Sequence, residues 1–422
     1  MKVKFYRKKE KAPIKGKLEK SVSRLNAMIN QVSTVILERA DELIALKLGL
    51  IAREHVMLEG THGIAKSRLA KEVSDRIIGA TVFKKQLTST TQPDEILGCM
   101  NSQIYREKAR WEYNIEGMLP DAHIAYLDEV YRGSRSLLPN MMQILNERTF
   151  ENNLTTVRCP LITAIGTTNF TITDEELLPF HDRWLIKSMV KPLSTSSARL
   201  KMIQLDMLYR QGKNPFDTDA NVSLDDLNLL SQSLSEVEIP EQMLELYEEL
   251  VRMYVAKFDG RIFISDRRLC QTLKLVQAAY LADEDKGETF NESYLNCAQY
   301  GLCVLNVEEQ LQAFNEIFDR VVGTYVRADF ANRKMSKVEA IVTKLAAEFD
   351  DNMESAEATE MFKKASRYLF GLNNPTPEFP EPSGGEGLEK YKKSISTLES
   401  LIASLRPIVE ASIRNEIESE LA

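Results

Sequence analysis

The chain is poor in the residues that build disulfide frameworks and metal clusters. Its five cysteines, Cys99, Cys159, Cys270, Cys297 and Cys303, are odd in number and show no CxxC spacing. That pattern argues against a disulfide scaffold or a zinc site and for reduced thiols in a cytoplasmic protein. Only four histidines are present, His55, His62, His123 and His181, and none pairs at metal-ligand spacing, which disfavours histidine-centred metal chemistry. The sequence has no run of about 18 apolar residues, so no membrane span is expected. The N-terminus is basic (MKVKFYRKKEKAPIKGKLEK) but no apolar core follows it, which speaks against a secretory signal peptide. Surplus positive charge is missing too. Lys and Arg number 54 against 62 Asp and Glu, a net charge of −8, and this opposes non-specific coating of nucleic acid, while a local basic groove stays open.

What is present is globular. The 422 residues suit about two to three domains. Residues 1–20 read as a flexible basic arm, with a solubility tail as the plain reading and a tether to an acidic partner as the alternative. From about Ser21 to Arg53 the pattern is helical. A short apolar strand, His55–Glu59, then leads into a loop with two glycines, and a helix opens near Lys66. Strand-like segments recur near Thr81–Leu87, His123–Leu127, Leu161–Gly166 and Leu185–Val190, with helical stretches between them. This alternation predicts an α/β core over residues 21–192: a parallel five-stranded sheet covered by helices on both faces. After about Lys191 the strands stop, and 193–303 reads as an all-helical domain. Residues 304–372 form a further helical, charge-rich region. Residues 373–387 (NNPTPEFPEPSGGEG) read as a linker. In 388–422, Leu388, Tyr391, Ile395, Leu398, Ile402, Leu405 and Val409 alternate spacings of three and four, a coiled-coil-like seam interrupted by Pro407. That helix either folds back on its own helical region or docks on another chain.

Five elements carry chemistry. The first is Gly60-Thr61-His62-Gly63-Ile64-Ala65-Lys66-Ser67, a relaxed phosphate loop in which Ala65 replaces the second glycine of GxxxxGK[ST]. Backbone N–H groups at a helix start wrap phosphates, Lys66 reaches the β- and γ-phosphates, and Ser67 offers a hydroxyl to Mg²⁺. A strand before it and a helix after it give the context this chemistry needs. The second is the apolar strand ending in Asp128-Glu129, where Asp128 can hold the metal through its water shell and Glu129 can polarise the attacking water. The third is Asn169, closing another apolar strand at the ligand-binding edge of an open α/β sheet. The fourth, His181-Asp182-Arg183-Trp184, offers Arg183 for insertion into a neighbour's nucleotide site. The fifth, Ile264-Ser265-Asp266-Arg267-Arg268, offers Arg267 to the γ-phosphate from the helical domain. Plainer readings are a solvated acidic turn, a turn asparagine, a surface salt bridge and a helix-start arginine paired with an acid.

In this order, these elements resemble the AAA+ ATPases and, within them, the MoxR family, over about Ile36–Leu281. GxxGxAKS with Ala before the lysine is a MoxR form of the loop. Thr90–Gly98 (TTQPDEILG) is similar to the family's helix-two insert region. Leu127-Asp128-Glu129-Val130 followed by Leu145–Phe150 (LNERTF) resembles its second acidic motif and the "NERxF" beyond it. The nearest subgroup is the RavA-like one, through Gly63–Ser67 and Ile264–Arg268. Family loops usually read Gly-Pro-Pro-Gly where this chain has Thr61-His62; no phosphate ligand is lost. The resemblance implies an AAA+ P-loop core with an all-helical lid over 193–303, ATP and Mg²⁺ as ligands, Mg²⁺ held by Ser67 and Asp128, and Glu129, Asn169, Arg183 and Arg267 in catalysis. It also implies a ring, usually a hexamer, a chaperone-like remodelling role on a client the chain does not name, and a partner with a von Willebrand A domain. Two other function classes stay in view: a nucleic-acid motor, for which basic and aromatic pore loops would be the sign, and a nucleotide-gated scaffold with little hydrolysis, for which loss of Glu129, Asn169 or Arg183 would be the sign. None of the three is lost.

Overall fold

Val56, Met57 and Leu58 are all fully buried, and this sets strand β1 (Val56–Glu59) inside a sheet covered on both faces. The structure, a computed structural model, describes residues 12–421 other than 135–136, 154, 170–176, 214–219, 287–289, 305–306, 323–334, 336–337, 351–352 and 374–384. The remaining strands are β2 (Ile77–Ile78), β3 (Val82–Gln86), β4 (Ile124–Asp128), β5 (Thr149–Asn152), β6 (Thr155–Arg158), β7 (Thr163–Thr168), β8 (Ile186–Met189) and β9 (Val222–Ser223). Five of them make a parallel sheet in the order β3-β4-β7-β1-β8. The first strand lies between the fourth and fifth core strands, so the loop after β1 opens beside the end of β7.

Alternate residues of these strands feed opposite faces, as strand geometry requires. Val56, Leu58, Ile124, Tyr126, Ile165 and Ile186 pack with helices α1 (Ala12–Val35), α2 (Ala40–Ala52) and α3 (Lys66–Ser74). Met57, Ala125, Leu127 and Ala164 pack with Met141, Ile144, Leu145, Phe180 and Trp184 on the other face. Gly166 makes that second packing possible: a Cβ there would meet the Trp184 ring at 2.8 Å.

Several expectations change. The arm read over 1–20 is helical from Ala12, and Val22, Leu25, Met28 and Val32 of α1 are buried at helical spacing. Ser21 and Arg24 donate to Asp226 at 2.6 and 3.2 Å, tying α1 to the helix Leu224–Ser233. Residues 1–11 of that arm lie outside the described residues. The helical reading of Ser21–Arg53 is broken by a turn at 36–39. The segment after LNE is an antiparallel hairpin, β5–β6, because TFEN and TTVR are rich in β-branched and aromatic residues. Strands do not quite stop at Lys191, since β9 pairs in parallel with β2.

The chain divides into two compact units, Met1–Ile317 and Phe318–Ala422. The expected boundary near 303 moves to the helix Val307–Val321. Gln310 accepts hydrogen bonds from Tyr254 Oη at 3.0 Å and Val304 N at 2.6 Å, and Lys191 pairs with Glu308 at 2.6 Å, which fastens the first part of that helix to the first unit. The second unit is helical among its described residues. In it the helices Ser355–Asn373 and Gly385–Leu421 bury Leu398, Leu405 and Val409 with Ala358, Ala365 and Leu372. The apolar seam is therefore used inside the unit. The helix starts at Gly385, within the segment read as linker, and runs through Pro407 instead of stopping there; apolar contacts on both sides of the proline hold it. Residues 374–384 of the expected linker lie outside the described residues. No helix among the described residues is long and apolar enough to cross a membrane.

Candidate nucleotide site

The loop Gly60–Ser67 links the end of β1 to the start of α3. Gly60 has φ +153°, and a Cβ on it would strike Val190 O at 2.5 Å, so the loop must begin on glycine. Gly63 (φ +76°) and Ala65 (φ +67°) also lie at positive φ. Ala65 is the residue that stands where the common pattern has glycine, and it keeps the left-handed conformation at a cost of roughly 1–2 kcal/mol. Such strain gathers at working loops. The turn delivers Lys66 into the first turn of α3 with its side chain pointing back under the loop.

Lys66 Nζ donates to Gly60 O at 2.6 Å, Thr61 O at 2.7 Å and Asn169 Oδ1 at 2.5 Å. Burial lowers its pKa, opposed by the charges of Glu129 and Asp128. Asn169 Nδ2 donates to Glu129 Oε1, and to His62 Nδ1 at 2.9 Å. Glu129 Oε2 lies 3.4 Å from Arg132 Nε. Glu129 itself sits at φ +55°, a bend that turns its carboxylate off the axis of β4 toward Asn169. Thus Lys66, Glu129, Asn169 and His62 meet at the C-terminal edge of the sheet.

Asp128 accepts the Thr167 hydroxyl. The Tyr126 phenol interacts with Ser67, Thr167 and Asp128, and burial pushes its pKa up to about 12. The exposed Ser67 hydroxyl and the Asp128 carboxylate form an oxygen-donor pair that fits a hard divalent cation. Thr167, Tyr126 and Arg132 were not singled out in the sequence. Parallel pairing of β4 with β7 in the register Leu127↔Gly166 sets Thr167 beside Asp128, and that register is the signal that could have found it.

The two candidate arginines lie elsewhere. Arg183 follows the short helix Leu178–Asp182 and precedes β8, at the sheet edge opposite the loop. Its Nη1 donates to Asp182 Oδ2 at 3.4 Å. Arg267 is exposed and interacts electrostatically with His55 and Arg148. His55 precedes β1, whereas Lys66 and Asn169 stand past its far end. Arg267 therefore does not join Lys66 and Asn169 within the chain: the helix Asp266–Ala282 starts beside the opposite end of β1. Arg148, from the LNERTF stretch, is a half-buried brace that donates to Leu145 O, Arg53 O and Ile162 O.

Residues 23–232 match the family profile described as the MoxR domain in the MoxR–vWA–β-propeller ternary systems. These residues form a MoxR-type AAA+ domain. An uncharacterised protein of Methanocaldococcus jannaschii is 29% identical over 266 residues, covering 63% of this chain and 67% of that protein. The chaperone MoxR1 of Mycobacterium tuberculosis is 27% identical over 219 residues, 51% of this chain and 55% of that one. A crystal structure of a candidate ATPase from Cytophaga hutchinsonii superposes with a TM-score of 0.58 at 17% identity, covering 73% of this chain and 96% of that one; it bears on the fold alone. The MoxR match includes the loop, the Asp128-Glu129 pair, Asn169 and Arg183, and stops before Arg267.

Proposed function

We propose that the chain is a Mg²⁺-dependent ATPase that works as a ring, hexameric as is usual in the family, and couples hydrolysis to remodelling of a client protein in the cytoplasm. The observation that carries this reading is the hydrogen-bonded group Lys66–Asn169–Glu129 at one sheet edge, with Arg183 at the other. Backbone N–H groups of Gly60–Ser67 and the Lys66 ammonium grip the triphosphate. Glu129 polarises the attacking water, and Asn169 orients both that water and the Glu129 carboxylate. The water oxygen bonds to the γ-phosphorus as the bridge to the β-phosphate breaks. Ser67 and Asp128 would hold Mg²⁺, which when bound would supply charge neutralisation at the phosphate oxygens. Arg183 serves the adjoining protomer's γ-phosphate. Arg267, exposed on the same side as His55 and Arg148, is likewise assigned to the adjoining site.

The domain layout that goes with this is a core, a helical lid to about 317, and a C-terminal helical unit for client or partner contact. The profile that matches is defined on systems with a vWA protein, which supports a partner of that kind; the RavA-like loop and Arg267-Arg268 pair support that subgroup. The test is Glu129→Gln. It should bind ATP and leave it unhydrolysed, with turnover in the parent chain rising with protein concentration as the ring assembles. Rapid phosphate release from the variant would remove Glu129 from its role.

One feature favours a second reading, a nucleic-acid motor. Tyr105 and Trp111 are exposed, with ring centroids 4.2 Å apart and planes tilted by 39°, and Arg106 and Arg110 adjoin them in the chain. Aromatic and cationic residues together suit stacked bases. The net charge of −8 opposes it, and stimulation of ATP turnover by single-stranded DNA would favour it.

A further inference from the structure

Asp182 stands between two arginines. Its Oδ1 accepts Arg268 Nη1 at 3.0 Å, and its Oδ2 accepts Arg183 Nη1 at 3.4 Å. The two arginines are held very differently. Arg268, in the first turn of the helix Asp266–Ala282, is 2% exposed. Three further contacts are with carbonyls: Nε donates to Gly301 O at 2.6 Å, Nη2 donates to Leu185 O at 2.7 Å, and Nη1 also lies 3.4 Å from Asp182 O. Burial lowers its pKa and the Asp182 charge opposes that; a guanidinium stays charged under such conditions. A cation this deep needs its carboxylate, so the Asp182 side chain has one dominant orientation. Arg183, in contrast, is 22% exposed; among the described residues its guanidinium makes one long contact, and its Nε is buried without a hydrogen-bond partner there. Few bonds have to break for it to move.

We propose that Arg268 and Asp182 are positioning residues for Arg183: Arg268 fixes the carboxylate from the lid side, and the second carboxylate oxygen holds Arg183 pre-aimed at the γ-phosphate of the adjoining protomer. This rests on the assignment of Arg183 to the neighbour's site made above. The physical basis is pre-organisation. A long, rotamer-rich side chain supports phosphoryl transfer only when its direction is set beforehand by groups that are themselves locked. Asp182 is locked by a buried arginine that is itself held by the carbonyls of Gly301 and Leu185, yet grips Arg183 loosely enough for phosphate to displace it. Because Arg268 lies on the helical lid and Asp182 on the segment entering β8, lid position and arginine aim become linked across one carboxylate.

The test uses mixed assemblies of the full chain. A receptor chain carries Arg183→Ala and keeps its loop. A donor chain carries Lys66→Ala and keeps Arg183. Neither alone turns over ATP, and mixing them restores turnover where a donor arginine meets a receptor loop. Placing Asp182→Asn in the donor keeps an acceptor oxygen for Arg268 but presents an N–H to Arg183. Turnover of the mixture should fall at least fivefold with the KM for ATP unchanged. The same substitution in the receptor, which has no Arg183 left to aim, should leave the rate at the parental mixture's level. A donor with Asp182→Asn that performs like its parent overturns the proposal. Arg268→Lys is the second probe. It keeps a cation beside Asp182 but cannot fork to Leu185 and Gly301, and it should slow turnover from the donor side only. Equal slowing from both sides would mark a lid staple and overturn the proposal. If the parental pair never restores turnover, the assignment of Arg183 fails first, and the positioning role falls with it.

Discussion

The two edges of the parallel sheet are opposite in chemistry. At the C-terminal edge, Lys66, Asn169 and Glu129 form one hydrogen-bonded group and Asp128 accepts the neighbouring Thr167 hydroxyl, around a loop with three residues at positive φ. At the N-terminal edge, Arg148, Arg183, Arg267 and Arg268 gather around His55 and Asp182. A single protomer therefore cannot bring Arg183 and Lys66 to the same phosphate through side-chain motion alone. Under the proposed function the two edges are half-sites, and two copies side by side would complete one.

The sharpest way to break this comparison is Arg183→Ala. Nucleotide binding, followed with a fluorescent ATP analogue, should hold, while turnover falls by about 10³ or more, the size of a trans-acting arginine; a wild-type rate would remove the N-terminal edge from catalysis. Next is Lys66→Ala, expected to weaken ATP binding by on the order of 10²-fold through loss of charge-assisted hydrogen bonds. An unchanged affinity in the same titration would mean that the loop does not grip phosphate. Arg148→Met separates brace from tool at the N-terminal edge. It removes the guanidinium bond to Arg53 O and leaves Leu145 O with His55 Nε2 alone, and should cost about 1–3 kcal/mol of stability, read by urea unfolding, without abolishing nucleotide binding. The smallest effect concerns His181, which is 2% exposed and whose Nε2 contacts Val304 O at 2.6 Å. Burial lowers its pKa from 6.5 to about 2. A folded-state pKa below the unfolded one means that the stabilising term is whole above about 6.5 and is lost as the pH falls toward 2. Between pH 6.5 and 5.5 the parent chain should lose about 1 kcal/mol that His181→Gln does not lose; parallel pH profiles would show that the imidazole is not held neutral.

Much of the core was legible because its signals are local. Five apolar runs between helical stretches foretold the five parallel strands within a residue or two, and the β1–loop–α3 junction announces itself through Gly60, Gly63 and Lys66. The hairpin Thr149–Arg158 was hidden by the attention that LNERTF draws as a motif. The location of Arg267 was hidden for a different reason. A helix-start arginine looks the same in sequence whichever end of β1 its helix packs against. Arg268 gave no sign of its role, because a buried arginine and an exposed one beside it are indistinguishable until the helix face is known.

The sequence alone determined the order of strands and helices, the phosphate loop and the acidic and amide residues that close β4 and β7, since each depends on neighbours a few positions away. Only the tertiary structure decided which side chains meet. Asn169 reaches Lys66 and Glu129 because β7 lies between β1 and β4, and Asp182 meets Arg268 because the lid helix packs where β8 begins. Such pairings depend on strand order and on the packing of distant helices, and neither is written in the spacing of residues along the chain.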